Sequence, residues 1–302
     1  MQAVTEVLVL FIIMLVGFLA GKLRFFPTPV LKGINGLVLN ITLPCLMLAA
    51  LQNESDLSLL PSLAEEFLLS LVFLLLSFAI GALIFMRAKK DLRPVYTHMV
   101  TFSNCGFMGY PVVIAVLGQA GLIYAVVYNV AFNIVIWSCG QLSYTGRVNV
   151  KSVLRSLLNP AMISALLSLV LFLLQVKLPD VVYRAFDSVG DMTTPLSMMI
   201  IGARLTELSL KHIKDFRMLL AISFRLVLLG FLAYGISYIV GAPKLVWGAL
   251  CLCTIMPGSA ISAMQSEAFG RGDASVLSAG GVALSTALSV ATIPLMLLLL
   301  PF

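Results

Sequence analysis

Asn40-Ile-Thr42-Leu-Pro44-Cys-Leu-Met-Leu48 returns 151 residues later as Asp191-Met-Thr193-Thr-Pro195-Leu-Ser-Met-Met199, an offset of half the 302-residue chain. A polar residue, a threonine and a proline keep their spacing in both copies. Pro111 likewise recurs as Pro257, 146 residues on, with Gly106, Gly109 and Tyr110 before the first and Gly258, Ser259 and Ala260 after the second. All four prolines stand inside long apolar runs. The chain is 61% hydrophobic and 11% charged, which excludes an ordinary water-soluble domain. Nineteen bases against thirteen acids leave a net charge of +6, but the bases form no single stripe, which argues against nucleic acid as a partner. The five cysteines, Cys45, Cys105, Cys139, Cys251 and Cys253, lie in apolar stretches without paired CxxC spacing and read as packing residues.

A hydrocarbon core about 30 Å thick takes about 20 helical residues to cross. Apolar runs of that length occur at 4–23, 30–51, 64–86, 95–118, 120–144, 153–174, 179–203, 217–240, 243–269 and 274–300, which predicts an all-α integral membrane protein of ten spans. The connections between them are too short to fold as separate domains. The first run has Glu6 before its apolar core and Lys22 and Arg24 after it, so it is expected to stay as a helix rather than act as a cleaved leader. With the N-terminus outside, fifteen bases from Lys22 to Arg271 fall on the cytoplasmic side and only Lys177, Arg184 and Lys244 outside. That bias places both termini on the extracytoplasmic side of a plasma (inner) membrane. The acidic connection with Glu54, Asp56, Glu65 and Glu66 then also lies outside.

Five spans repeated twice make the second half enter from the opposite face, giving two inverted five-helix repeats over 1–150 and 151–302. Proline inside a helix removes a backbone donor and clashes with the carbonyl four residues earlier, at a cost of about 3 kcal/mol. Within a membrane, irregular backbone is tolerated only where it is buried in protein or lines a cavity. Helices 4 and 9 are therefore expected to break at Pro111 and Pro257 and to cross at the midplane. Residues 112–114 and 258–260 would then open half-helices whose unpaired N–H groups and positive dipole ends suit a carboxylate. A simple kink is the other reading of any single proline, and at Pro44 and Pro195 kink and site stand equal.

With Gly17-Phe-Leu-Ala-Gly21, Asn104-Cys-Gly106-Phe-Met-Gly109-Tyr-Pro111, Asn159-Pro160, Thr194-Pro195-Leu, Ile201-Gly202-Ala-Arg-Leu205 and Leu284-Ser-Thr…Thr292-Ile-Pro294 in that order, the sequence resembles the auxin efflux carrier family over nearly its whole length. That family includes plant auxin exporters and bacterial organic-acid carriers. The resemblance implies a scaffold of helices 1, 2, 6 and 7, a mobile transport domain of helices 3–5 and 8–10, and broken helices 4 and 9 crossing at the substrate site. It also implies an elevator-like motion and a homodimer through the scaffold helices. Carried over residue by residue, the crossover falls on Asn104, Pro111 and Pro257. The stretch Pro257-Gly-Ser-Ala-Ile-Ser262 carries hydroxyls where the plant exporters carry asparagine, so auxin itself does not follow from the resemblance.

The substrate-binding candidates are Asn104, Gly109, Tyr110, Pro111, Val112, Pro257, Gly258, Ser259 and Ser262. Asn104 can donate and accept, which suits a substrate carboxylate or a free carbonyl of the broken helix. Ser259 and Ser262, one turn apart, either cap the second half-helix or bind ligand. Asp191 falls near mid-span, where an ionised carboxylate is expensive. It serves either proton or cation coupling or a structural pairing with Arg225, and neutral Asn40 is its counterpart in the first repeat. Arg225 itself either snorkels or balances a substrate anion. Asn129, Asn133 and Gln141 make one polar face on span 5, directed at another helix or at the pocket. His98 and Glu267, near span ends, are expected to be solvated.

No phosphate-binding loop, HExxH or nucleophile elbow is present, so no enzymatic chemistry, metal or cofactor is expected. The expected activity is secondary transport of a small organic anion, a carboxylate or auxin-like compound, by alternating access about the crossover. The alternatives are a sodium-coupled symporter of the bile acid carrier type and a non-transporting membrane sensor or channel.

Overall fold

The computed structural model describes residues 2–50, 52, 57–147, 151, 158, 160–206 and 215–302. Asn159 of the family motif, and Glu54, Asp56, Arg155, Lys211 and Lys214 of the charge pattern, lie outside the described residues. Among the described residues the structure is helical, and the single β-type contact is an isolated bridge.

Helix α1 covers Gln2–Lys22. Helix α2, Thr28–Leu37, runs through a π turn at Val38–Thr42 into α3, Leu43–Ala50. The long α4, Leu60–Ile84, is followed by the short α5, Arg93–Thr101. A π turn at Cys105–Gly109 opens α6, Tyr110–Val135, and a further π turn, Ile136–Gly140, leads to α7, Gln141–Thr145. The second half holds α8 (Pro160–Leu173), α9 (Asp180–Asp191), α10 (Thr193–Leu205) and α11 (Phe216–Ser223). After a π turn at Phe224–Leu228 come α12 (Leu229–Val240), α13 (Lys244–Ile255), α14 (Ala260–Phe269) and α15 (Ala274–Leu299).

Local chemistry explains many of these boundaries. Prolines stand in the first turn of α2, α4 and α5, where their missing N–H would have had no helical partner. The Asp215 carboxylate accepts from the Arg217 and Met218 amides and so caps α11. Inside α6, Gly118 adopts φ +73° and ψ −171°, a conformation that L side chains resist. It separates the helical pieces where the sequence places the boundary between spans 4 and 5.

Six helices of the described residues are long and apolar enough to cross a membrane: Val4–Lys22, Pro29–Ala50, Leu57–Ile84, Cys105–Thr145, Phe216–Val240 and Ala274–Leu299. The described helices thus give six candidate spans where the sequence reading expects ten. Spans 4 and 9 are interrupted, and α9 carries Asp180, Arg184, Asp187 and Asp191. Pro160–Leu173 and Lys244–Ile255 are apolar but short.

The outer faces of these helices are as apolar as their inner ones. Ile12 on α1 is 61% exposed, Val72 on α4 59% and Leu298 on α15 67%. Patches of this kind on many helices need a non-aqueous surround. Inside, α1 and α10 meet backbone to backbone: a Cβ on Gly17 would fall 2.2 Å from the Met199 carbonyl oxygen, and one on Gly202 1.8 Å from that of Met14. Small residues let the two helices approach this closely. The opening pair of sequence copies also meets in space, because the Thr193 hydroxyl donates to that of Thr42 over 2.9 Å, both buried. Pro44 directly follows the π turn Val38–Thr42, and Pro195 sits in the first turn of α10.

Candidate functional site

Two interruptions meet in the interior. Helix α5 stops at Thr101, and Phe102 is extended at φ −105° and ψ 107°. Helix α13 stops at Ile255, with Met256 at φ −64° and ψ 152° and Ser259 at φ −71° and ψ 137°. The freed backbone groups of one segment satisfy those of the other. The Asn104 amide donates to the Pro257 carbonyl over 2.7 Å and the Ser259 amide to the Phe102 carbonyl over 2.9 Å, an antiparallel bridge centred on Ser103 and Gly258. Each segment replaces the water that an open chain would need.

The bridge is braced from other helices. The Gly258 amide donates to the Ser285 hydroxyl of α15 over 3.0 Å. Arg225, on the π turn between α11 and α12 and fully buried, donates from Nε to the Val100 carbonyl over 2.9 Å and from Nη2 to that of Thr101 over 3.0 Å. These are the last carbonyls of α5, where the helix leaves acceptors unpaired and the dipole is negative. A guanidinium fork therefore closes the end of the interrupted helix. Its Nη1 has no hydrogen-bond partner.

Beyond the bridge each chain turns helical again. The Asn104 carbonyl accepts from Met108 and Gly109 over 3.3 and 3.0 Å, opening the π turn that leads into α6. The half-buried Asn104 side chain makes no capping bond. The Ser259 hydroxyl accepts from the Ile261 amide over 3.1 Å and caps α14, whereas the buried Ser262 hydroxyl has no partner. Opposite Gly106, the Asn129 side-chain nitrogen lies 3.3 Å from where a Cβ would stand, so the polar face of span 5 reaches the start of the first half-helix.

Several expectations change. The interruption in span 4 is at residues 102–104 and not at Pro111, which follows the π turn Cys105–Gly109 in continuous helical backbone. Tyr110 and Val112 are buried in the main apolar core. Asp191 does not pair with Arg225: its side chain is exposed at the end of α9, and the guanidinium is held by helix-end carbonyls. Asn40, also exposed, donates to the Gly36 carbonyl of its own helix over 2.8 Å. Asn133 turns back to the Asn129 carbonyl over 2.9 Å and touches the Met162 sulfur on α8.

His98 is not solvated. It is fully buried, with Nε2 3.1 Å from both the Gly140 carbonyl and the Ser143 hydroxyl. Glu66 does not belong to an outer loop; it is buried on α4, where Ser70 donates to its Oε1 over 3.0 Å. Sequence reasoning missed Gln265, whose amide donates to the Ile136 carbonyl over 3.0 Å across the π turn of span 5. Its position, one helical turn after Ser262 and Ile261, was the available signal. All five cysteines are free thiols. Among the described residues no group of three or more His, Cys, Asp or Glu side chains could hold a metal ion.

A sequence profile of the family described as membrane transport protein matches residues 2–147 and 143–297. An uncharacterized transporter of Methanocaldococcus jannaschii is 26% identical over 265 residues, covering 84% of this chain and 85% of its own. One from Methanothermobacter thermautotrophicus is 25% identical over 303 residues, covering 98% and 97%.

Proposed function

Since this chain belongs to the membrane transport protein family, of the auxin efflux carrier type, we propose that it is a secondary transporter that moves a small organic anion by elevator-type alternating access. The observation that carries this reading is the antiparallel bridge between residues 102–104 and 257–259, each followed by the start of a helix. A helix start with its positive dipole end follows each side of the bridge, an arrangement that favours a carboxylate. Asn104 and Ser262 supply side-chain donors beside them, with Gly109, Gly258 and Ser259 forming the backbone of the site. Pro257 keeps the second interruption open, whereas Tyr110, Pro111 and Val112 serve as packing behind it.

In this reading the chain crosses the plasma (inner) membrane ten times, with both termini outside, as inverted repeats 1–150 and 151–302. The Thr42–Thr193 contact between equivalent positions supports such a relation. Spans 1, 2, 6 and 7 form the scaffold and the homodimer contact, and spans 3–5 and 8–10 carry the substrate. The α1–α10 contact, too close to slide, suits a rigid scaffold. Arg225 fixes the geometry of the crossover, and Asn40, Asp191 and Asn133 lie apart from it.

Purified protein reconstituted in vesicles should exchange radiolabelled mono- and dicarboxylates with a saturable rate that falls at least tenfold in Asn104→Ala. Uptake that requires sodium would favour the bile acid carrier type. Single-channel currents, or exchange indifferent to Asn104, would refute the proposal.

A further inference from the structure

At the end of the bundle where α4 finishes and α5 begins there is a second polar feature, separate from the crossover. A pocket of about 300 Å³ opens between α4, the start of α5 and the segment 139–143. Phe78 and Leu142 form apolar walls, and the exposed Lys90 and Arg93 line it together with Thr97 and Ser143. Thr97 is only 2% exposed.

Neither Lys90 nor Arg93 is held in an ion pair among the described residues, and the one acid between them in the chain, Asp91, is exposed. Arg93 reaches across to the Ala82 carbonyl through Nη2 at 3.4 Å, a long bond that leaves most of its fork free. The pocket also lies at the first turn of α5, where the helix dipole favours an anion. Next to it, Leu83 at the end of α4 is 67% exposed and Met86, just beyond that helix, 58%, which continues its apolar outer face.

We propose that this pocket binds a phosphate group, carried by the headgroup of an acidic phospholipid or by a soluble phosphate ester. Two cations around one cavity match a tetrahedral anion with several acceptor oxygens. Basic pockets between membrane helices take lipid headgroups in this way, and the exposed leucine and methionine provide a surface for the acyl chain. The Ser143 hydroxyl that lines the pocket is also the hydrogen-bond neighbour of His98, so the occupant would touch the packing of α5 against span 5. The proposal stands whether or not the chain transports an anion.

The test is the melting temperature of the full-length protein in neutral detergent, with phosphatidylglycerol, phosphatidylcholine or glycerol 3-phosphate added. A rise of about 2 to 4 °C is expected at tenfold excess over the dissociation constant. A rise with phosphatidylglycerol alone assigns a lipid, and one with glycerol 3-phosphate assigns a soluble ester. In Lys90→Gln/Arg93→Gln the rise should vanish while melting without additive stays within about 1 °C of the unmodified protein. Should the double variant fold poorly, Lys90→Gln alone, at an exposed side chain, should lose about half of the rise. No rise with either phosphate source, an equal rise in the variants, or an equal rise with phosphatidylcholine would overturn the proposal.

Discussion

The two interruptions do the same thing by different means. The first, Phe102-Ser103-Asn104, contains no proline or glycine and is held from outside: its helix end is closed by Arg225 from another element. The second, Met256 to Ser259, carries its own breakers in Pro257 and Gly258 and its own cap in Ser259, with Ser285 as a brace. One break is thus a tertiary product and the other is largely local. Removal of a distant side chain should damage the first, and removal of a neighbouring one the second.

The largest effect is expected from Arg225→Met, which strands the buried carbonyls of Val100 and Thr101. Loss of two charge-assisted bonds of this kind costs about 3 to 5 kcal/mol, a fall in melting temperature of roughly 6 to 15 °C by thermal unfolding in detergent. Arg225→Lys should recover only part of it, because an ammonium lacks the planar fork that spans two carbonyls. Full stability in the methionine variant would break the comparison.

Gly258→Ala comes next. Its Cβ would stand 2.8 Å from the Met99 sulfur and terminal methyl, and Met99 is itself buried, so about 1 to 3 kcal/mol is expected from urea denaturation. Ser259→Ala removes the cap of α14 alone and should cost about 1 kcal/mol. Pro111→Ala should be the smallest, within about 0.5 kcal/mol, since the π turn Cys105–Gly109 already accommodates the missing donor. A large loss there would mean that the first interruption depends on a local breaker after all.

The same contrast explains what was legible in the sequence. Pro257 announces a break because a proline in mid-span has few other uses, and the half-helix start at residues 258–260 agrees with the cap at Ser259. Nothing in Phe102-Ser103-Asn104 announces one. That segment extends because its partner offers a carbonyl and an amide at the right spacing, a condition set by chain segments 155 residues apart. Arg225 was conspicuous as a base inside an apolar run, but its partners are backbone carbonyls, which have no residue type to read. Asp191 was the nearest residue type that looked suitable. Likewise the span limits misled at His98 and Glu66, where the polar side chain is buried by neighbouring helices and not by its own sequence.

The contact of α1 with α10 has a mechanical consequence. At Gly17 and Gly202 even a methyl group would collide with the opposite main chain, so neither helix can slip or roll along the other without first lifting away. They make a stiff plate, and whatever displacement the protein undergoes must be taken up at other joints. Paired spin labels on the outer ends of these two helices should keep one fixed separation in every state the protein visits, an internal ruler against which the travel of the remaining helices can be read.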